Sequence, residues 1–418
     1  MKLSVTNITI LFLTFFFIKE VIEFYLEWRN KKHIKTNRAS VPSKFKEKIT
    51  LEDHQKAADY SITKINVSSA FNLISIALFL FWTIGGGINL LDNHIVSWEL
   101  GPITTGICFF LAFGFISMII SLPQSLYSTF VVEEKYGFNK TTMKTFIMDR
   151  LKGLIIGLII GVPLLALILW ITQTYPKNWW ILAFIVITAF QFLMLWAYPV
   201  LIAPLFNKFS PMEEGDVKQK VLALLERTGF KSNGLFVMNA SMRSAHGNAY
   251  FTGFGKNKRI VFFDTLINTL EPDEVEAVLA HELGHYKKKH VLKMLTRSVV
   301  MGLIGFWILG QLFNEPLFYQ GHGVEKVSAH AGLLLFSLVS GVYTFFLTPI
   351  MSFISRKYEF EADEFAAQNS QGAKLISALI KMYKDNASTL TPDPVYSGYH
   401  HSHPPALVRV SYIEGLIS

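Results

Sequence analysis

Residues 281–285 read His-Glu-Leu-Gly-His, which is the pattern H-E-x-x-H. On a helix, positions four apart lie one above the other, so His281 and His285 can bind one metal ion while Glu282 projects beside them as a general base. The chemistry that this arrangement predicts is hydrolysis by a zinc-activated water. The alternative is a buried helix with two hydrogen-bonded histidines and no metal, and the surrounding sequence has to decide between the two.

The sequence before the motif is typical of a helix N-terminus. Pro272 is followed by Asp273 and Glu274, which gives an early proline and an acidic first turn. Apolar residues then recur at helical spacing, at Val275, Val278, Leu279 and Leu283. The motif is therefore predicted to lie on a helix.

A catalytic zinc site has a third protein ligand and keeps one position open for water. The segment 355–364 contains the carboxylates Glu359, Glu361, Asp363 and Glu364. On a helix, Glu359 and Asp363 share one face, whereas Glu361 lies about 200° around from Glu359. We predict Glu359 as the third ligand, and Asp363 as an acid that accepts the spare N–H of a bound histidine or donates a proton. A solvated acidic helix is the alternative, and it suits Glu361 and Glu364.

The oxyanion of a tetrahedral intermediate needs a donor besides the metal. His403 is the strongest candidate because Pro404 and Pro405, which follow it, fix its backbone. Arg409 is a weaker candidate for contact with the substrate. His400 and His401 are predicted to lie in a polar loop. Two further histidines are predicted to be satisfied surface residues: His246 and His290.

The composition indicates a membrane protein. Of the 418 residues, 51% are hydrophobic and 17% are charged, against about 25% charged in a soluble domain. Seven apolar stretches are each near the length of about 20 residues that crosses the hydrocarbon core. They are residues 8–26, 71–91, 106–131, 151–172, 180–201, 294–314 and 331–354.

The distribution of the net charge of +8 predicts the topology. Lys and Arg concentrate in residues 29–48 and 135–152, and they are almost absent from the loops 92–104, 173–179 and 315–330. By the positive-inside rule, the N-terminus lies outside and the C-terminus lies in the cytosol, with the metal motif on the cytosolic side. The basic charge thus indicates contact with anionic membrane lipids rather than a nucleic-acid partner.

We predict a mainly α fold with a small β-sheet in the cytosolic part. Leu235–Met238 and Arg259–Phe263 read as short strands around Asn248, Ala249 and Tyr250, and this segment is predicted to hold an extended substrate at a sheet edge. Four segments follow from composition: five spans in 1–201, a peptidase part with the metal motif in 202–293, two spans in 294–354, and the rest of the peptidase part with the third ligand in 355–418.

The chain resembles the type I CAAX prenyl proteases, integral-membrane zinc endopeptidases of the gluzincin type, over nearly its whole length. Besides the metal motif, the matching segments are EEKYGFNK at 133–140, APLFNKF at 203–209, RSAHGNAY at 243–250, KRIVFFDTL at 258–266, EFEAD at 359–363 and HPP at 403–405.

The resemblance implies a barrel of seven tilted helices around a chamber, with one zinc ion at its cytosolic side. It also implies cleavage of prenylated peptides after the prenylated cysteine, close to the C-terminus. The implied roles are metal ligands at His281, His285 and Glu359, the base at Glu282, a proton donor at Asp363, the oxyanion donor at His403, and the substrate edge at Asn248, Ala249 and Tyr250.

Two other functions fit the same residues. One is a zinc protease for membrane-protein quality control with no requirement for a prenyl group. The other is a helical transport or scaffold protein with a structural metal, although structural zinc sites usually have four protein ligands. The short stretch between the last two spans and the end Leu416-Ile417-Ser418 favour a bacterial inner membrane over the ER membrane of a eukaryote. The sequence gives no indication of the oligomeric state.

Overall fold

Seven helices are long and apolar enough to cross a membrane in the computed structural model, which describes residues 4–252 and 258–418. This agrees with the number of spans predicted. The seven segments are Val5–Asn37, Leu51–Trp82, Pro102–Glu133, Met143–Thr174, Trp179–Phe206, His290–Leu312 and Ala329–Asn369.

The α-helices and strands are as follows in chain order. The helices are α1 (Val5–Asn37), α2 (Leu51–Trp82), α3 (Gly87–Val96), α4 (Pro102–Tyr127), α5 (Met143–Thr174), α6 (Trp179–Ala197), α7 (Ala203–Phe206), α8 (Asp216–Arg227), α9 (Asp264–Ile267), α10 (Pro272–Lys287), α11 (His290–Leu312), α12 (Pro316–Gly321), α13 (Ala329–Thr344), α14 (Thr348–Asn369), α15 (Gly372–Asp385), α16 (Pro394–His400) and α17 (Ala406–Ile417). The strands are β1 (Phe209–Pro211), β2 (Leu235–Met238), β3 (Ala249–Thr252) and β4 (Arg259–Phe263).

The second span ends earlier than predicted. The stretch 71–91 was expected to be one helix, but α2 ends at Trp82 and Gly87 begins the separate helix α3. Gly86 has φ of 78°, in the left-handed region that favours glycine, so the chain turns there. Hydropathy could not indicate this break because the residues on both sides of it are apolar.

The last predicted span is divided between α13 and α14 by a short 3-10 turn at Phe345–Leu347, and α14 continues into the metal site. The predicted boundary between 354 and 355 falls inside α14, which runs unbroken from Thr348 to Asn369. Composition shows where apolar sequence gives way to polar sequence. It does not show where a helix ends, because a helix that leaves the membrane can continue in polar sequence. The four-segment division of the chain therefore stays a prediction, while α14 carries both the end of the predicted span and the residues Glu359 and Asp363.

The small sheet is mixed, with the strand order β1-β2-β4-β3. β2 and β4 match the strands predicted at Leu235–Met238 and Arg259–Phe263, and they pair in parallel. β3 pairs antiparallel with β4 and lies at the end of the strand order, so its other side is a sheet edge among the described residues. Ala249 and Tyr250 belong to this edge strand.

The core of the cytosolic part lies around α10. Val275, Leu279 and Leu283 on this helix are fully buried, as are Leu224 on α8 and Phe262 on β4. Each such side chain contributes about 1.5–3 kcal/mol through burial of apolar surface. This packing, together with contacts to α14 and α15, holds the metal-motif helix from several sides.

The first helix reaches the C-terminal part of the chain. Arg29 on α1 donates from Nε and Nη2 to the two carboxylate oxygens of Asp393, at 3.1 and 3.0 Å. Asp393 is the N-cap of α16, because its side chain accepts from the backbone N–H groups of Val395 and Tyr396. Asn30 accepts from the Asp393 N–H as well, at 3.0 Å. These contacts fix the start of the segment that leads to His403.

Candidate metal centre

The motif helix α10 begins at Pro272, as its sequence predicts. The N–H of Glu271 donates to Oε2 of Glu274 at 2.9 Å, and Lys381 donates to the same buried carboxylate at 2.8 Å. The start of the helix is therefore fixed both by its own cap and by α15. His281 is buried. His285, about one turn further along the helix, is half-buried. The centroids of the two rings are 4.9 Å apart.

The helix α14 brings Glu359 and Asp363 to the same place. It packs on α10 so closely that a Cβ atom built on Gly284 would lie 2.9 Å from Cα of Ala362. Glycine at this position is what allows the two helices to approach. Glu359 and Asp363 are both buried, one turn apart on the face of α14 that meets the motif helix.

The three predicted ligands converge. Nε2 of His281 and Nε2 of His285 are 3.3 Å apart, and they lie 3.5 and 3.3 Å from the carboxylate oxygens of Glu359. Zinc bonds of about 2.0–2.1 Å in a tetrahedral site separate neighbouring ligand atoms by about 3.4 Å. Oε2 of Glu359 is buried without a hydrogen-bond donor in the described part of the chain. The donor set of two imidazoles and one carboxylate thus fits a catalytic zinc ion.

The other nitrogen of His281 faces a buried ion pair. Nδ1 lies 2.8 Å from Oδ1 of Asp363, whose carboxylate accepts from Nε and Nη2 of Arg409 at 2.9 and 2.5 Å. Burial and the charge of Arg409 oppose protonation, but hydrogen bonds to Asp363 and Glu359 outweigh them and raise the pKa of His281 to about 9. Without a metal, this imidazole holds a proton that metal binding must displace.

Glu282 is half-buried, and its carboxylate makes no hydrogen bond or ion pair with any described residue. It directly follows His281 on the helix. A carboxylate that is not engaged by the protein is available to accept a proton, so its predicted role as the base stays a prediction that the structure leaves open.

His403 lies beside the metal site. Its Nε2 is 3.4 Å from Oε1 of Glu359 on α14, although His403 itself lies between α16 and α17. The His403 side chain is 65% exposed and lines a cleft of about 390 Å³ together with Tyr383 of α15 and Lys64 of α2. The cleft provides space next to the ligands. Arg409, by contrast, is buried and engaged with Asp363, and its predicted contact with substrate stays a prediction.

The predicted substrate segment is partly used by the sheet itself. The carbonyl oxygen of Asn248 accepts from the N–H of Phe263 at 2.9 Å. Ala249 and Tyr250 pair with Phe262 and Val261, and β3 packs against α10. The outer side of β3 is therefore the part of this segment that could receive another strand.

The prediction that His290 is a surface residue is wrong. Its side chain is 1% exposed, and its ring nitrogens lie 3.0 Å from Nδ1 of His285 and 3.0 Å from Oε2 of Glu361. Glu361 likewise binds a histidine rather than only solvent. The spacing of five residues between His285 and His290 gave no signal, because α10 ends between them at Lys287 and the chain turns at Lys289, which has a φ of 59°. His246 is half-buried and satisfied, with Nδ1 3.1 Å from Oδ1 of Asn386.

The fold and the convergent ligands define a class, the membrane-spanning metallopeptidases. A family model described as "CAAX prenyl protease N-terminal, five membrane helices" matches residues 30–208, and that of peptidase family M48 matches residues 211–417. The chain belongs to peptidase family M48, in the branch that carries this five-helix region. The predicted enzyme class and the seven-span helical fold with a small sheet are thereby confirmed.

Individual relatives are similar along their whole length. The CAAX prenyl protease 1 of Saccharomyces cerevisiae is 34% identical, over 94% of this chain and 92% of the relative. A CAAX prenyl protease 1 homolog of Arabidopsis thaliana is 35% identical, over 96% of each chain. The crystal structure of Ste24p from S. mikatae superposes with a TM-score of 0.91 at 32% identity, covering 97% of this chain and 99% of that one.

Proposed function

We propose that the protein is an integral-membrane zinc endopeptidase that cleaves prenylated CAAX-type peptides near their C-terminus. The observation that carries the proposal is the triangle of His281, His285 and Glu359, with separations of 3.3–3.5 Å that match the corners of a zinc tetrahedron. The substrate class is supported by the names of the relatives that align over nearly the whole chain.

These three residues would hold the ion, and each is available for that purpose. The Nε2 atoms of both histidines point at the carboxylate of Glu359. When bound, zinc lowers the pKa of a water ligand towards about 7 and polarises the scissile carbonyl. Asp363 fixes the tautomer and orientation of His281 through Nδ1, and Arg409 in turn fixes Asp363.

Glu282 then acts as the base in the proposed reaction. It takes a proton from the attacking water and passes it to the amine that leaves, so its carboxylate ends the cycle unprotonated. His403 donates a hydrogen bond to the oxyanion as the carbonyl becomes tetrahedral. The sequence also predicts a proton-donor role for Asp363. Because it is fully buried and engaged with His281 and Arg409, we assign it the orienting role.

The peptide would bind as an added strand on β3, whose outer side is a sheet edge. Main-chain hydrogen bonds to Ala249 and Tyr250 would place an extended peptide above α10. The cleft beside His403 would receive the residues on one side of the scissile bond.

The location in the cell is proposed from charge. The basic segments 29–48 and 135–152 place the metal site and the C-terminus in the cytosol and the N-terminus outside. The bacterial inner membrane predicted from the sequence and the ER membrane are distinguished by fractionation of cells that express the tagged protein. The relatives named above come from eukaryotes.

The experiment uses the full chain, purified in detergent or nanodiscs, with a farnesylated fluorogenic peptide and its unprenylated twin. We expect one zinc ion per chain and much faster cleavage of the farnesylated peptide. Equal rates on the two peptides would favour quality control of membrane proteins, and no cleavage of either would contradict the protease assignment.

The matched variant is Glu282→Gln, which keeps the shape of the side chain and removes the base. We expect kcat to fall by about 10²–10⁴-fold while the zinc content stays at the wild-type level, because Glu282 is not a ligand. Full activity of this variant would reject the role of Glu282, and it is also what a structural metal site would predict.

A further inference from the structure

Both metal-facing histidines use their second ring nitrogen, but they use it differently. Nδ1 of His281 meets the carboxylate of Asp363 at 2.8 Å. Nδ1 of His285 meets Nδ1 of a third imidazole, His290, at 3.0 Å. Among the described contacts, Nδ1 of His285 therefore meets no carboxylate, and His290 occupies the position that Asp363 occupies beside His281.

The buried side chain of His290 contacts Glu361 and Tyr358 in addition to His285. Its side chain is 1% exposed, its Nε2 lies 3.0 Å from Oε2 of Glu361, and its ring stacks on Tyr358 with centroids 4.3 Å apart and planes 10° apart. Both Glu361 and Tyr358 belong to α14, the helix that also carries Glu359. The ring is thus fixed relative to the third ligand rather than only to the motif helix.

The proton positions follow from these contacts. A neutral imidazole has one N–H donor and one acceptor. Nε2 of His285 faces the site of the metal and must present a lone pair there, so the proton of His285 is on Nδ1. Nδ1 of His290 must then accept that proton's hydrogen bond, and the proton of His290 is on Nε2, where it donates to Glu361. Each of the two hydrogen bonds has one donor and one acceptor.

We propose that His290 is a positioning residue for the metal centre: it accepts the Nδ1–H of His285, is itself oriented by Glu361, and so fixes the tautomer and direction of the second zinc ligand. The assignment rests on the proposed zinc site. Partners of this kind orient ligand imidazoles and raise their basicity, and their loss typically costs 10–100-fold in metal affinity.

The turn between α10 and α11 makes this arrangement possible. Lys289 adopts φ of 59°, and α11 begins at the next residue, so His290 comes back towards His285 instead of continuing the motif helix. The first residue of α11, His290, therefore meets α14 next to the ligand His285. His290 on α11 contacts Glu361 on α14 directly through its Nε2.

A purely structural role for His290 would need only its ring, packed on Tyr358. Two substitutions separate the alternatives. His290→Phe keeps a flat ring for the stacking contact and removes the acceptor, whereas His290→Asn loses the ring and keeps an acceptor near the position of Nδ1. Controls are His54→Phe, at another histidine that is 1% exposed, and Glu364→Leu, on the same helix as Glu361.

The measurements are made on the resting full-length protein in detergent, without substrate. They are the zinc affinity, by competition with a chromophoric chelator, and the visible absorption of the Co²⁺-substituted protein, which reports the ligand geometry. We expect His290→Phe to lose about 10–100-fold in zinc affinity and to shift the Co²⁺ bands. His290→Asn should stay close to wild type in both, as should the controls.

Wild-type affinity and spectrum in His290→Phe would overturn the assignment, and so would an equal loss in His290→Asn. Should His290→Phe not yield folded protein, Glu361→Leu decides: weaker zinc binding than in Glu364→Leu supports the assignment, and equal binding overturns it. A wild-type protein that binds no zinc would overturn the proposed function and this assignment with it. Tight zinc binding with an unaltered His290→Phe would overturn the assignment alone.

Discussion

Asp363 and Arg409 form a buried pair directly behind the metal centre. Their side chains are 0% and 8% exposed, and two hydrogen bonds join them. A buried ion pair adds little stability compared with an apolar pair of the same size, but removing one partner leaves a charge without compensation. We therefore infer that the pair serves to orient His281, and that losing either partner lowers the free energy of unfolding.

We expect Asp363→Ala to lower the free energy of unfolding by about 3–5 kcal/mol, because Arg409 stays buried and charged and keeps, among the described residues, only the longer ion-pair contact with Glu359, at 3.8 Å. The double variant Asp363→Ala with Arg409→Leu should recover part of this loss. Thermal unfolding of the metal-free protein in detergent measures both, so that loss of zinc does not contribute. Equal destabilisation in the single and double variants would show that the charge of Arg409 is not the cause.

At the scale of elements, the centre depends on the distance between α10 and α14. The two ligand histidines lie on one helix and Glu359 lies on the other, and the closest approach is at Gly284 against Ala362. Gly284, which takes no part in the chemistry, thus sets the separation of the two helices and of the ligands they carry.

We expect Gly284→Ala to weaken zinc binding by more than about tenfold, because the added methyl group forces the helices apart. Overpacking of this kind typically costs 1–3 kcal/mol. Zinc affinity by chelator competition measures the effect. Gly305→Ala is the control, since a Cβ there meets nothing within 4 Å. Unchanged affinity in Gly284→Ala would contradict the idea that this contact sets the geometry.

Periodicity and spacing predicted the elements that carry the centre. The start of α10 at Pro272, the strands β2 and β4, and the shared face of Glu359 and Asp363 are all local properties of the sequence. The contact of His290 with Glu361 joins residues 71 positions apart, and no local pattern reports it. The roles of the site residues stay predictions, since they depend on chemistry rather than on position.

At the scale of the molecule, the N-terminal membrane region and the peptidase part are joined by polar contacts. Arg29 binds Asp393 through two hydrogen bonds, and the ring of His33 lies 3.1 Å from the carbonyl oxygen of Thr391. Further along, Arg243 in the peptidase part binds both carboxylate oxygens of Asp149 on α5, at 2.8 and 3.0 Å. The region 30–208 and the region 211–417 therefore form one structure around the site.

We expect Asp393→Ala to lower kcat while the zinc content stays at the wild-type level. The substitution removes the cap of α16, which costs about 1 kcal/mol, and releases the segment that leads to His403 from α1. Peptide cleavage together with metal analysis measures the outcome. Glu414→Ala, which breaks the exposed pair with Lys44, is the control. Loss of zinc in Asp393→Ala would instead place the effect at the ligands.

α14 lies in a segment that is apolar enough to span the membrane, and Glu359 is its twelfth residue. At about 1.5 Å per residue, the 22 residues of this helix extend over about 33 Å. We therefore expect a change in the tilt of α14 to move the Glu359 carboxylate relative to the two histidines of α10. With the proposed zinc ion bound, bilayer thickness would then influence the position of this ligand.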